Sequence, residues 1–174
     1  MCDFIILVAP TADQQALSAA MARHGRAARP IANASLFRAL LPGEFPYLTT
    51  QSACDCGTVL GTVGNDPETE LAKDAARLAK KGWSQARIAR AIAQRQAADA
   101  RPSEPGPDSF ALWAGVVGDL FETLKLPHVG LLVHSCAGSI ATESFAIARR
   151  AAKDAPLTSL ETLRPDELLV FRNA

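Results

Sequence analysis

Apolar residues fall in two unbroken runs of strand length. Phe4-Ile5-Ile6-Leu7-Val8 is rich in β-branched residues and is stopped by Pro10. Val129-Gly130-Leu131-Leu132-Val133 follows Pro127 and leads into His134-Ser135-Cys136. Continuous apolarity, rather than alternation, predicts strands buried on both faces. Helical spacing dominates elsewhere. Phe110, Trp113, Val117, Leu120, Phe121 and Leu124 share one face and predict the principal core helix, over 109–124. Thr11 is placed to cap a helix over 12–24, in which Leu17, Ala20, Met21 and His24 recur before Gly25 ends it.

Weaker signals fill the intervals. Short strands are expected near 28–31 and 47–50, with a short helix capped by Asn33 or Ser35 and closed by Pro42-Gly43. Asp66-Pro67 opens a helix with an N-cap residue followed by proline, and Gly82 ends it. Ser84 starts another that runs to about Ala100. The segment 101–108 holds three prolines and a glycine and reads as a linker. Residues 140–147 fit a strand or a helix equally, and 167–171 a closing strand. The expected fold is a single α+β domain over 1–174. Strands 4–8 and 129–135 would centre a mixed or antiparallel sheet, covered by helices 12–24 and 109–124, with a helical hairpin inserted at about 66–100.

Composition narrows the function classes. Lysine plus arginine and aspartate plus glutamate both number 18, so no global charge draws the chain to nucleic acid or a membrane surface. No run approaches the ~18 apolar residues of a membrane span. Asp3 stands where a signal peptide would carry a cation, so a cytoplasmic protein is expected, and alanine and arginine usage suggests a bacterial source. A chain of 174 residues buries enough surface to need no disulfide for stability.

The chemistry of interest is therefore sulfur in a reducing compartment, where clustered cysteines argue for metal or reactivity over disulfides. Cys54 and Cys56 lie one residue apart before Gly57, Cys2 begins the first strand, and His134 and Cys136 end another. Cys2, Cys54, Cys56 and His134 make a donor set that suits tetrahedral zinc, although one intervening residue is shorter than the spacing usual in structural zinc sites. The alternative is a cysteine-dependent hydrolase or transferase using Cys2 or Cys136. In that reading Met1 is removed and the new α-amine serves Cys2 as base. The start Met1-Cys2 resembles that of N-terminal-nucleophile glutamine amidotransferases, over those two residues alone.

Val133-His134-Ser135-Cys136-Ala137-Gly138 is similar to the phosphate loop of cysteine phosphatases, with serine and cysteine exchanged. That family clamps phosphate with a downstream arginine, where this chain has Thr142, so phosphatase chemistry is excluded. Gly82-Trp83-Ser84-Gln85-Ala86-Arg87-Ile88-Ala89 resembles the first helix of a helix-turn-helix. No turn follows it, so nucleic acid is not the expected partner and one solvated helix is. A third class is a partner-binding module that uses the 66–100 helices and carries no chemistry.

Overall fold

A computed structural model of the chain describes residues 2–50, 54–63, 67–99, 108–136 and 138–173. They divide into two compact units, one formed by 1–63 with 107–174 and the other by 64–106. The first unit is built on a six-stranded mixed sheet. Its strands are β1 (Cys2–Ala9), β2 (Arg29–Pro30), β3 (Phe45–Leu48), β4 (His128–Cys136), β5 (Ala148–Ala151) and β6 (Glu167–Arg172). The order is β2-β3-β1-β4-β6-β5, and every neighbour is antiparallel except β5 and β6. The two apolar runs become the central, adjacent strands, as their lack of alternation requires.

Side chains alternate across β1. Ile5, Leu7 and Ala9 join Leu131 and Val133 on one face, where α1 (Gln14–Met21) and α5 (Phe110–Leu124) cover them with Leu17, Met21, Trp113, Val117 and Leu120. Ile6 and Val8 join Leu132 on the other face, beneath Leu36 of α2 (Ala34–Ala39) and Phe145. Local chemistry sets the helix boundaries. Asp13 accepts from Ala16 N–H at 2.9 Å, Asn33 from Leu36 N–H at 2.8 Å and Ser109 from Leu112 N–H at 3.2 Å, each as an N-cap. Gly25 ends the 3₁₀ turn after α1 with φ of 65°.

Residues 140–147 are neither strand nor helix. A turn at Thr142 leads into an extended segment, because Asn33 donates to the Ile140 and Glu143 carbonyls, both at 2.8 Å, and Phe145 N–H donates to Ser35 at 2.9 Å. Side-chain bonds to α2 thus replace a regular ladder. A helix over Pro156–Glu161, opened by proline in its first turn, joins β5 to β6. The second unit contains α3 (Pro67–Lys80) and α4 (Gln85–Asp99). The helix-turn-helix resemblance ends there, since α4 runs without a break. Trp83 stacks on the Arg87 guanidinium, 3.8 Å from its ring centroid. No helix among the described residues is long and apolar enough to cross a membrane.

Glu44 ties the far end of the sheet. Its side chain is 2% exposed and accepts from Leu41 N–H at 3.0 Å, His128 Nε2 at 2.8 Å and Arg149 through both terminal nitrogens, at 2.9 and 2.5 Å. Burial alone would raise the Glu44 carboxyl, but Arg149, the Leu41 amide and His128 outweigh it and hold the group below its ordinary value of 4.5. A depressed folded pKa adds stability above the unfolded value, and that stability is lost as pH falls through the folded one. Urea midpoints should therefore drop on acidification from about pH 5 downward. Glu44→Gln should lower stability at pH 7 and flatten that acid limb. An unchanged acid limb in the variant would show that Glu44 does not carry it.

Candidate metal centre

The site is built on the first residues of β1. Past Leu48, Thr49 still pairs with β1, donating to Ile5 O through its amide at 3.1 Å and its hydroxyl at 2.9 Å. The chain lies beside β1 again at 54–56. Asp55 N–H donates to Asp3 O at 2.7 Å, Ile5 N–H donates to Asp55 Oδ2 at 2.9 Å, and Asp3 N–H donates to Cys56 Sγ at 3.2 Å. This pairing explains the Cys-x-Cys spacing. Successive residues of chain laid along a strand point to opposite sides. Asp55 turns its carboxylate into the core, so Cys54 and Cys56 share the side away from it. Cys2 stands in the same relation to Asp3, whose carboxylate accepts from Ser135 Oγ at 2.5 Å. The Sγ atoms of Cys2, Cys54 and Cys56 all lie within 4.8 Å of one another. Cys2 and Cys56 are exposed and Cys54 is half-buried.

The turn after the cysteines is fixed by two glycines. Gly57 has φ of +88°, and Thr58 N–H returns to Asp55 O at 3.0 Å, the arrangement of a type II turn. Thr58 Oγ1 also donates to Asp55 O, at 2.7 Å, and accepts from Gly61 N–H at 3.0 Å. A side chain at Gly61 would collide with the Asp55 carbonyl. Glycine is needed there because backbone crosses backbone.

Beneath the thiols lies a buried charge network. The Arg26 side chain is 4% exposed and that of Asp55 is 2%. Arg26 bonds Asp108 Oδ1 at 2.8 Å and reaches Asp55 Oδ1 at 3.4 Å, with its guanidinium 4.7 Å from the centroid of the Trp113 ring. One cation faces two carboxylates, and neutral donors stabilise the surplus negative charge. Asp55 accepts from Ile5 N–H and the Thr50 hydroxyl. Asp108 accepts from Val59 N–H at 2.6 Å and Trp113 Nε1 at 3.1 Å. A buried ion pair holds its place only when its other polar atoms are satisfied in this way.

Crowding sets the electrostatics of the thiols. The Asp3 amide favours a Cys56 thiolate, but burial, the Cys54 thiol and the negative charges of Asp3 and Cys54 outweigh it, so the Cys56 thiol is pushed up. A cation would relieve that repulsion.

The structure brings together three of the four ligands expected from sequence. His134 stands opposite Phe4 on β4 and is not in the cluster. Its ring lies 4.2 Å from that of Phe145, its Nδ1 is 2.6 Å from Asp166 Oδ1, and its buried Nε2 has no partner among the described residues. Cys136 is opposite Cys2. It is buried, and its one S–H is shared between Gly138 O at 3.1 Å and Glu143 Oε2 at 3.0 Å. Burial, then Glu143, pushes the Cys136 thiol up.

No protein-family model, curated protein or solved structure matches this chain. Sequence reasoning missed Arg26, Asp55 and Asp108. Asp108 ends the proline-rich segment 101–108, whose other residues lie outside the described ones. Only Asp55 carried a signal, since Cys-Asp-Cys beside a strand must send the carboxylate opposite to both thiols. Asp55→Ala should cost about 1–3 kcal/mol in urea unfolding, because Arg26 keeps Asp108 but the buried Ile5 N–H and the Thr50 hydroxyl lose their acceptor. A loss below about 1 kcal/mol, the scale of an exposed pair, would show that the network does not hold this loop.

Proposed function

We propose that Cys2, Cys54 and Cys56 bind a soft or borderline cation, zinc foremost, and that the chain is a thiolate metal-binding domain. The observation that carries this reading is the convergence of three Sγ atoms within 4.8 Å from two separate segments of chain. Thiolate sulfur suits zinc and copper(I) and does not suit magnesium or calcium. Binding requires the thiols to lose their protons, so affinity rises with pH and uptake releases protons. The metal would join the start of β1 to the 54–56 segment and complete a contact already set by the Asp55 bonds. Zinc fills four positions, which leaves one for a further donor. Thiol catalysis at Cys136 gains no support from its burial or its raised pKa.

Elemental analysis tests the proposal. Protein incubated with zinc and dialysed should retain one zinc per chain. The double variant Cys54→Ser with Cys56→Ser should retain none while keeping its far-ultraviolet dichroism. Wild-type protein without stoichiometric zinc or copper would contradict the reading.

A further inference from the structure

All four cysteines of the chain lie at one end of the sheet, and the fourth stands directly across from the first. We infer that Cys136 supplies the fourth ligand, so that the bound metal is enclosed by four thiolates and the centre is structural. This rests on the three-thiolate reading above and deepens it.

Register is the first argument. Cys2 and Cys136 are opposed residues of adjacent antiparallel strands, so their side chains leave the same face with Cβ atoms about 4.5–5.5 Å apart. A zinc ion with sulfur at ~2.3 Å needs sulfurs roughly 3.8 Å apart along each tetrahedral edge. In this structure Cys136 Sγ is outside the group of sulfurs that lie within 4.8 Å of one another, so coordination requires rotation about its Cα–Cβ bond, which exchanges its contacts with Gly138 and Glu143 for the metal. His134 competes poorly. It stands two positions along β4, opposite Phe4, and its ring is held by Asp166 and Phe145.

The second argument is placement. Cys136 is 2% exposed, and its Sγ lies 3.1 Å from Gly138 O and 3.0 Å from Glu143 Oε2, which share its one S–H proton. The chain around Glu143 is itself anchored, since Asn33 Nδ2 donates to its carbonyl. As the metal–sulfur bond forms, the S–H bond breaks and its proton is lost to solvent.

Four thiolates leave no open position for substrate or water, whereas a catalytic zinc keeps one. The arrangement would join β1, β4 and the 54–56 segment at a single point.

X-ray absorption of zinc-loaded wild-type protein is the test. The expected shell is four sulfurs at ~2.3 Å, and Cys136→Ser should convert it to three sulfurs plus one nitrogen or oxygen at ~2.0–2.1 Å. The same variant should bind zinc at least about tenfold more weakly. His134→Gln should leave the four-sulfur shell intact. A wild-type shell of three sulfurs and one light atom would overturn the assignment while leaving the three-thiolate reading standing, and it needs no variant to fold. A four-sulfur shell that survives in Cys136→Ser would also overturn it. Absence of bound zinc in the wild type would bring down both.

Discussion

The arrangement of this end of the molecule depends on one buried cation. Arg26 follows the glycine that closes the α1 turn and projects into the core, where Asp55 and Asp108 meet it from two distant parts of the chain. Neither the buried Asp55 nor the half-buried Asp108 is stable there without a partner, because an unpaired charge in the interior costs several kcal/mol. Their common partner therefore dictates where residues 54–60 and the start of α5 must lie. Trp113 completes the arrangement, its ring under the guanidinium and its N–H on Asp108. The principal core helix and the thiol-bearing segment are thus fixed by the same group.

This clamp resolves a tension in the site. Three thiols gathered at one end of the sheet repel one another once ionised, and thiol packing alone gives no reason for them to meet. The Asp55 bonds to β1 and Arg26 hold the segment from the core side. Alternation along the chain then presents Cys54 and Cys56 outward beside Cys2. The protein scaffold thus bears the cost of bringing the sulfurs together, and such preorganisation is what tight binding by a small set of ligands would require. Gly57 and Gly61 serve the same end, Gly57 by adopting the positive φ of the turn and Gly61 because no side chain fits where the chain recrosses Asp55.

Much of the frame was legible in the sequence. Two unbroken apolar runs marked the central strands, and helical spacing around Trp113 marked the helix that covers them. Cysteines at a strand start and in a turn suggested a meeting point with His134, and three of those four groups converge, at one end of the sheet. The remainder was not legible, for physical reasons. His134 ends an apolar strand just as Cys136 does, and only the register, with Phe4 opposite one and Cys2 opposite the other, separates them. Asp108 sits at the end of a proline-rich stretch, and nothing local indicates that Arg26, more than eighty residues away, will pair with it. The irregular path of 140–147 is held by side-chain bonds from Asn33 and Ser35, which no periodicity records.

The charge network is sufficient to position the thiols with no cation bound. A crystal structure of the protein stripped of metal by a chelator under reducing conditions tests it most directly. The account predicts that the Sγ atoms of Cys2, Cys54 and Cys56 remain within about 5 Å of one another, with the Asp55 carboxylate on the Ile5 amide and the Arg26 guanidinium between Asp55 and Asp108. A 54–56 segment displaced from β1 while Arg26 keeps Asp108 would contradict it.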